Sequence, residues 1–218
     1  QLGIEQMDVS SGALREGLLY DLLGRFGHED VRDRSIQALM NRHHVESSQA
    51  ERVCATAQTL YQQVASDWQI EGAEAADTLR WGCLLHEVGL AVSHSQFHKH
   101  GAYLVTNSDL PGFSRQEQQM VALMVRGHRR KVPLAALAEL PEDEQTCLLR
   151  LCLVLRLAVR LHHARSDEKV PEIHVQATGN RLAITFPVGW LEQHPLTQAD
   201  LEQELDYFQA AGYQLVLA

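Results

Sequence analysis

The sequence lacks any run of about 18 apolar residues, so no helix of it is expected to cross a membrane. It also lacks a basic, apolar, small-residue leader and reads as carrying no export signal. No CxxC spacing occurs. The four cysteines, Cys54, Cys83, Cys147 and Cys152, lie among apolar neighbours at helical spacing, which argues against a zinc ribbon or disulfide scaffold and for buried free thiols in a reducing cytoplasm. Proline is sparse, at 6 residues, and 14 glycines follow no period, so collagen-like and linker classes are excluded. Positive charge is in deficit: 19 Lys+Arg stand against 28 Asp+Glu, a net charge of −9. A bulk electrostatic grip on nucleic acid or an anionic membrane is therefore not expected. An initiating Met is missing too; the chain starts Gln1-Leu2-Gly3 and is expected to be a processed or truncated piece.

What is present is a 218-residue chain, 45% hydrophobic and 22% charged, enough for a sizeable core. Apolar residues recur at three and four spacing over 12–23, 30–41, 47–68, 73–91, 97–107, 114–127 and 143–163, which predicts a run of amphipathic helices. Ser47 and Ser48 with Glu51, and Ser114 with Glu117, have capping-box spacing. Gly24, Gly72 and Gly127 stand where helices could stop. After Pro171 the period shortens to two. Glu172-Ile173-His174-Val175-Gln176, a turn at Thr178-Gly179-Asn180, and Arg181-Leu182-Ala183-Ile184-Thr185-Phe186 read as a hairpin. A helix over 197–210 and a strand over 213–217 complete a small β-β-α-β tail, joined through the polar link Ser166-Asp167-Glu168-Lys169. The expected fold is mainly α: a helical bundle followed by a small α+β domain.

The charge is unevenly spread. Residues 1–93 carry 7 basic and 14 acidic side chains, residues 94–131 carry 6 and 2, and residues 132–218 carry 6 and 12. The positive segment ends in Arg126-Gly127-His128-Arg129-Arg130-Lys131 and also holds His94, His98, Lys99 and His100. Cations at a helix C-terminus complement its dipole, each worth about 0.3–1 kcal/mol. Four cations in six residues exceed that need. Guanidinium forks take phosphate oxygens bidentately and Lys adds a point charge, so the cluster is a candidate anion site. Arg25, Arg32 and Arg34 are weaker candidates, because Glu29, Asp30 and Asp33 are interleaved and expected to pair with them.

Twelve histidines raise the question of metal chemistry. Leu84-Leu85-His86-Glu87-Val88-Gly89-Leu90, followed by His98-Lys99-His100 and His128, resembles the HD phosphohydrolase superfamily. The ligand set departs from it. About Gln49, ahead of Val53, stands where the first His belongs, His86-Glu87 replaces the His-Asp pair, and Val159 falls at the final Asp. Such a set should not hold a catalytic metal pair. His86 is expected to be a core or groove histidine, hydrogen-bonded through its other ring nitrogen.

A more specific likeness runs along the whole chain. Ser10-Ser11-Gly12-Ala13-Leu14-Arg15-Glu16-Gly17-Leu18-Leu19-Tyr20, Gly24-Arg25-Phe26-Gly27-His28-Glu29-Asp30-Val31-Arg32, the degenerate HD stretch from Trp81 to Leu104, and Thr106-Asn107-Ser108-Asp109-Leu110-Pro111-Gly112-Phe113 resemble the exopolyphosphatase and guanosine-pentaphosphatase family. The resemblance favours the exopolyphosphatase branch. It implies an enzyme releasing terminal phosphate from inorganic polyphosphate, with Mg2+ and the catalytic residues in two actin-like domains that precede this segment. Residues 1–23 would end the actin-like part, 24–168 form an HD-like helical domain, and 169–218 form the tail. The implied role of the segment is to hold polyphosphate, through Arg126, His128, Arg129, Arg130 and Lys131 with Lys99, His98 and His100, and to support a homodimer. No catalytic or metal-binding residue and no nucleic acid partner is expected in it. The implied location is the cytoplasm, with a peripheral place at the inner membrane as the variant. Two other readings stay open: an independent HD-type metal-dependent nucleotide phosphohydrolase, and a regulatory module for guanosine tetra- or pentaphosphate.

Overall fold

The computed structural model describes residues 31–165 and 170–218. The helix expected over 12–23 with its Leu14, Leu18, Leu19 and Leu22 stripe, the Gly24 stop, Arg25 and the link at 166–169 lie outside the described residues. The chain runs through α1 (Val31–Arg42), α2 (Ser47–Val64), α3 (Ala73–Leu85), a 3-10 turn (Val88–Ala91), α4 (Phe97–Asn107), α5 (Arg115–Gly127), α6 (Leu134–Leu137) and α7 (Glu142–Leu161). The tail follows as β1 (His174–Thr178), β2 (Arg181–Thr185), α8 (Trp190–Gln193), α9 (Pro195–Ala210) and β3 (Gln214–Leu217). The architecture is thus the mainly helical domain with a small α/β tail read from the sequence.

Helix α7 organises the packing. Leu148, Leu151, Leu153, Val154, Leu155 and Leu157 are all buried, so the middle of the helix is enclosed on every side, as a central helix must be. Its core is continuous with that of α2 and with Leu182, Ile184, Leu201 and Phe208 of the tail. A second cluster, including Ile36, Leu39, Trp81, Leu85, Val105, Val121 and Val125, joins α1 to α3, α4 and α5.

In the sheet β2 is central, antiparallel to β1 and parallel to β3. Pairs Val175–Ile184, Ala177–Leu182 and Leu182–Leu215 place alternate side chains on the buried face. The two-residue turn is Gly179-Asn180, with Gly179 at φ +55°, so β1 runs to Thr178, two residues later than the alternation suggested. The outer edge of β1 is closed by α2: Gln63 Oε1 accepts from Val175 N at 2.8 Å and Gln63 Nε2 donates to Ile173 O at 3.1 Å. The buried Trp68 indole donates to Gly179 O at 3.0 Å and pins the hairpin turn to the helical domain.

Three local expectations change. The helix read over 73–91 breaks after Leu85 because the chain at Gly89 passes against α4 too closely for a helix to continue there. An ideal Cβ on Gly89 would lie 2.0 Å from Phe97 O and 2.4 Å from Gly101 N. Gly72 opens α3, at φ +138°, rather than closing α2. The capping box at Ser114–Glu117 forms with both reciprocal bonds, whereas α2 starts from Glu46 with no side-chain cap and Ser48 Oγ bonding back to that carboxylate at 3.1 Å.

A basic groove and a histidine cleft as the candidate functional site

The start of α4 and the end of α5 line one groove of about 460 Å³, walled by His94, Gln96, His98, Lys99, Arg126, Arg129, Arg130 and Lys131. Two glycines allow the approach: Gly89 under α4, and Gly101, whose Cβ would lie 2.8 Å from the Val125 side chain. Six of the eight residues singled out from the sequence thus share one surface. None of the groove's five Lys and Arg side chains forms an ion pair among the described residues, and no carboxylate lines it.

The remaining two stand apart. His128 is buried behind the groove, and His100 is half-buried on α4 outside the lining. Arg32 pairs with Glu117 of α5 at 2.9 Å, while Glu29 and Asp30, which were expected to pair with it, lie outside the described residues. Asp33 instead takes Arg80 at 2.5 Å and the Trp81 indole at 2.8 Å, since α1 packs across α3 and turns that carboxylate inward.

The field in the groove is legible in two groups. Arg126 and Arg129 are partly buried, and the loss of solvent without a counter-ion pushes both guanidinium groups below their ordinary value. His98 is buried with Nδ1 making no hydrogen bond, and its pKa falls to about 4 through burial, with the charges of Arg126, Arg129, Lys99 and Arg130 adding to the fall. Phe97 supports Arg129, whose guanidinium lies 5.0 Å from the ring centre. Arg130 sits at φ +62°, where glycine is the usual occupant and another L-residue costs about 1 kcal/mol. Arg130→Gly is therefore expected to leave thermal stability equal or raised while weakening anion binding; a parallel loss of both in melting and titration experiments would contradict the electrostatic role.

Arg129 and His94 also border a second cleft, of about 670 Å³, which holds His43, His44, Gln49, His86, Glu87, His128, Val159 and Arg165 among its lining. Here lie the degenerate HD positions. His86 and His128 follow the last residues of α3 and α5, and each Nδ1 bonds to a carbonyl three residues back, Cys83 O at 2.6 Å and Val125 O at 2.7 Å. Their rings meet edge to face at 5.4 Å. Gln49 donates to His162 O at 3.0 Å, and Glu87 is engaged by Arg165 at 2.5 Å. Among the described residues no three His, Cys, Asp or Glu side chains converge to hold a metal ion. A hard cation such as Mg2+ needs several oxygen ligands, and this cleft offers mainly imidazoles, its two carboxylates, Glu46 and Glu87, both being engaged by Arg165.

Burial lowers the pKa of His86, His128 and His162 as it does that of His98. The unfolded chain therefore binds protons that the folded chain refuses. This contribution to stability is complete above about 6.5 and is lost as pH falls toward about 4. Each group contributes at most about 1.4 kcal/mol per pH unit. The melting temperature is expected to drop steeply between pH 6.5 and pH 4 and less steeply in His98→Gln.

The sequence missed His43 and His44, whose place at the cleft is fixed by the turn after α1, and Phe97, which reads as an ordinary core aromatic. No helix among the described residues is long and apolar enough to cross a membrane. Residues 31–205 match the family Ppx/GppA phosphatase, domain III, and that match spans well over half of the chain. The chain belongs to the Ppx/GppA phosphatase family and carries its domain III.

Proposed function

We propose that this chain is the part of an exopolyphosphatase that holds the polyphosphate substrate, while cleavage is carried out with Mg2+ in catalytic domains outside it. The observation that supports this most is the groove: five cations, no carboxylate, and a buried histidine, His98, whose Nδ1 makes no hydrogen bond. In an acidic protein, cations gathered without counter-ions repel one another, and a polyanion relieves that repulsion. Linear polyphosphate suits the site because its charge repeats along a flexible thread and carries no base or sugar to be read.

Holding the thread away from the reacting end keeps the remainder at high effective concentration after each cleavage, which favours repeated rounds on one chain. The homodimer, the cytoplasmic setting and the exopolyphosphatase branch rest on the family resemblance. The independent metal-dependent phosphohydrolase is the weaker reading, because Gln49 and Val159 line the cleft where ligands would be needed.

Titration of long polyphosphate into the chain at several salt concentrations tests the reading. Binding is expected to weaken as salt rises, with no phosphate released. Arg129→Ala/Arg130→Ala should reduce affinity about tenfold or more and lower the salt slope by roughly two. Unchanged affinity in that variant would remove the groove from the account.

A further inference from the structure

Two charged residues are buried completely away from the groove. Arg156, in the middle of α7, and Glu204, in α9, both have 0% exposure. Arg156 Nε donates to Glu204 Oε2 at 2.7 Å, and Arg160 Nε donates to Glu204 Oε1 at 2.7 Å. The other arm of Arg156 leaves the tail and reaches α5, where Nη1 donates to Gly127 O at 2.6 Å. The guanidinium also lies over the Tyr207 ring of α9, 4.8 Å from its centre. One side chain thereby joins the tail helix to the last residue of α5, two positions before Arg129.

A buried ion pair is a poor source of stability, since desolvation offsets its attraction and apolar side chains of similar size do as well. Its directional bonds can fix geometry where apolar packing would only fill space. The end of α5 is already held on one face: a Cβ at Gly127 would lie 2.6 Å from Cys152 Sγ and 3.3 Å from Pro133 Cδ. Arg156 fixes the carbonyl, and with it the direction in which the chain leaves the helix toward Arg130 in its left-handed conformation.

We propose that Arg156 and Glu204 are positioning residues through which the docked tail helix orients the turn bearing Arg129, Arg130 and Lys131, so that the tail governs the shape of the anion groove. This rests on the reading of the groove as a polyanion site. The tail is then part of the grip although it contributes no residue to the groove lining.

The test is Arg156→Leu/Glu204→Leu in the whole chain, a change that leaves net charge unaltered. The His98 imidazole is followed by NMR through a pH titration, and long polyphosphate is titrated in parallel. The expected result is a cooperative fold in which the His98 titration moves up by about one pH unit or more from its starting value near 4. Polyphosphate affinity should fall several-fold. A folded double variant with His98 titration and affinity both unchanged overturns the proposal.

If the double variant does not fold, Glu204→Gln, which keeps the size and one acceptor, decides in the same way: a shifted His98 supports the coupling and an unshifted one overturns it. The two readings fail differently. Absence of polyphosphate binding to the unaltered chain defeats the substrate assignment, whereas His98 still reports whether the tail sets the groove.

Discussion

Alanine at position 89 is expected to destabilise the helical domain by more than about 3 kcal/mol, beyond the range of ordinary overpacking. The added Cβ would fall 2.0 Å from Phe97 O and 2.4 Å from Gly101 N. Both are backbone atoms, so no rotamer change relieves the overlap. Either α4 lifts from the 3-10 turn or the turn unwinds, and each exposes part of the cluster around Leu85, Val88, Val105 and Val125. For a chain of this size, that loss corresponds to a fall in melting temperature of roughly 6–12 °C or more. Gly82→Ala is the contrast. Its Cβ would lie 3.0 Å from Met124 Cβ and 3.1 Å from Met124 Cε, contacts that a shift of a few tenths of an ångström relieves, and a smaller effect is expected. Equal melting temperatures for the two variants would contradict the close crossing at Gly89.

Glu204→Ala alone is expected to cost about 3–5 kcal/mol, because it strands Arg156 in the interior without a counter-ion. Arg160 loses one partner as well but keeps Asp200 at 3.5 Å. Replacing both members of the buried pair by leucine should be far less damaging, near neutral in urea melts, since no charge is then left uncompensated. The order of the two effects is the informative part. If the paired leucine variant were as unstable as Glu204→Ala, the network would be a stability element rather than an orienting one.

The helices were legible because their apolar periods are long and unbroken, and the hairpin because Gly179-Asn180 separates two alternating runs. The break at His86 was not. It depends on a backbone crossing between the 3-10 turn and α4, and a sequence shows Gly89 without showing what presses against it. The basic cluster was visible as a local excess of charge, yet only the fold shows that Lys99 and His98 join it from α4 while His128 turns inward. Arg156 carried a signal that could have been used: a lone cation amid Leu153, Val154, Leu155, Leu157 and Ala158 must be paired inside the core. Its partner Glu204 was beyond reach, because it stands in α9, 48 residues on, among other acidic residues.

The central claim is that the groove between α4 and α5 holds a polyanion, and the most direct measurement is the NMR titration of His98 with and without long polyphosphate. Burial is the main reason that His98 stays unprotonated, and phosphate oxygens that neutralise Arg126, Arg129, Lys99 and Arg130 should remove the charge repulsion that adds to it. The account predicts that its pKa rises from about 4 on binding, that affinity increases as pH is lowered toward 5, and that the largest shift changes fall on residues 94–99 and 126–131. An unmoved His98, with shift changes confined to the cleft around His86 and Val159, would contradict it.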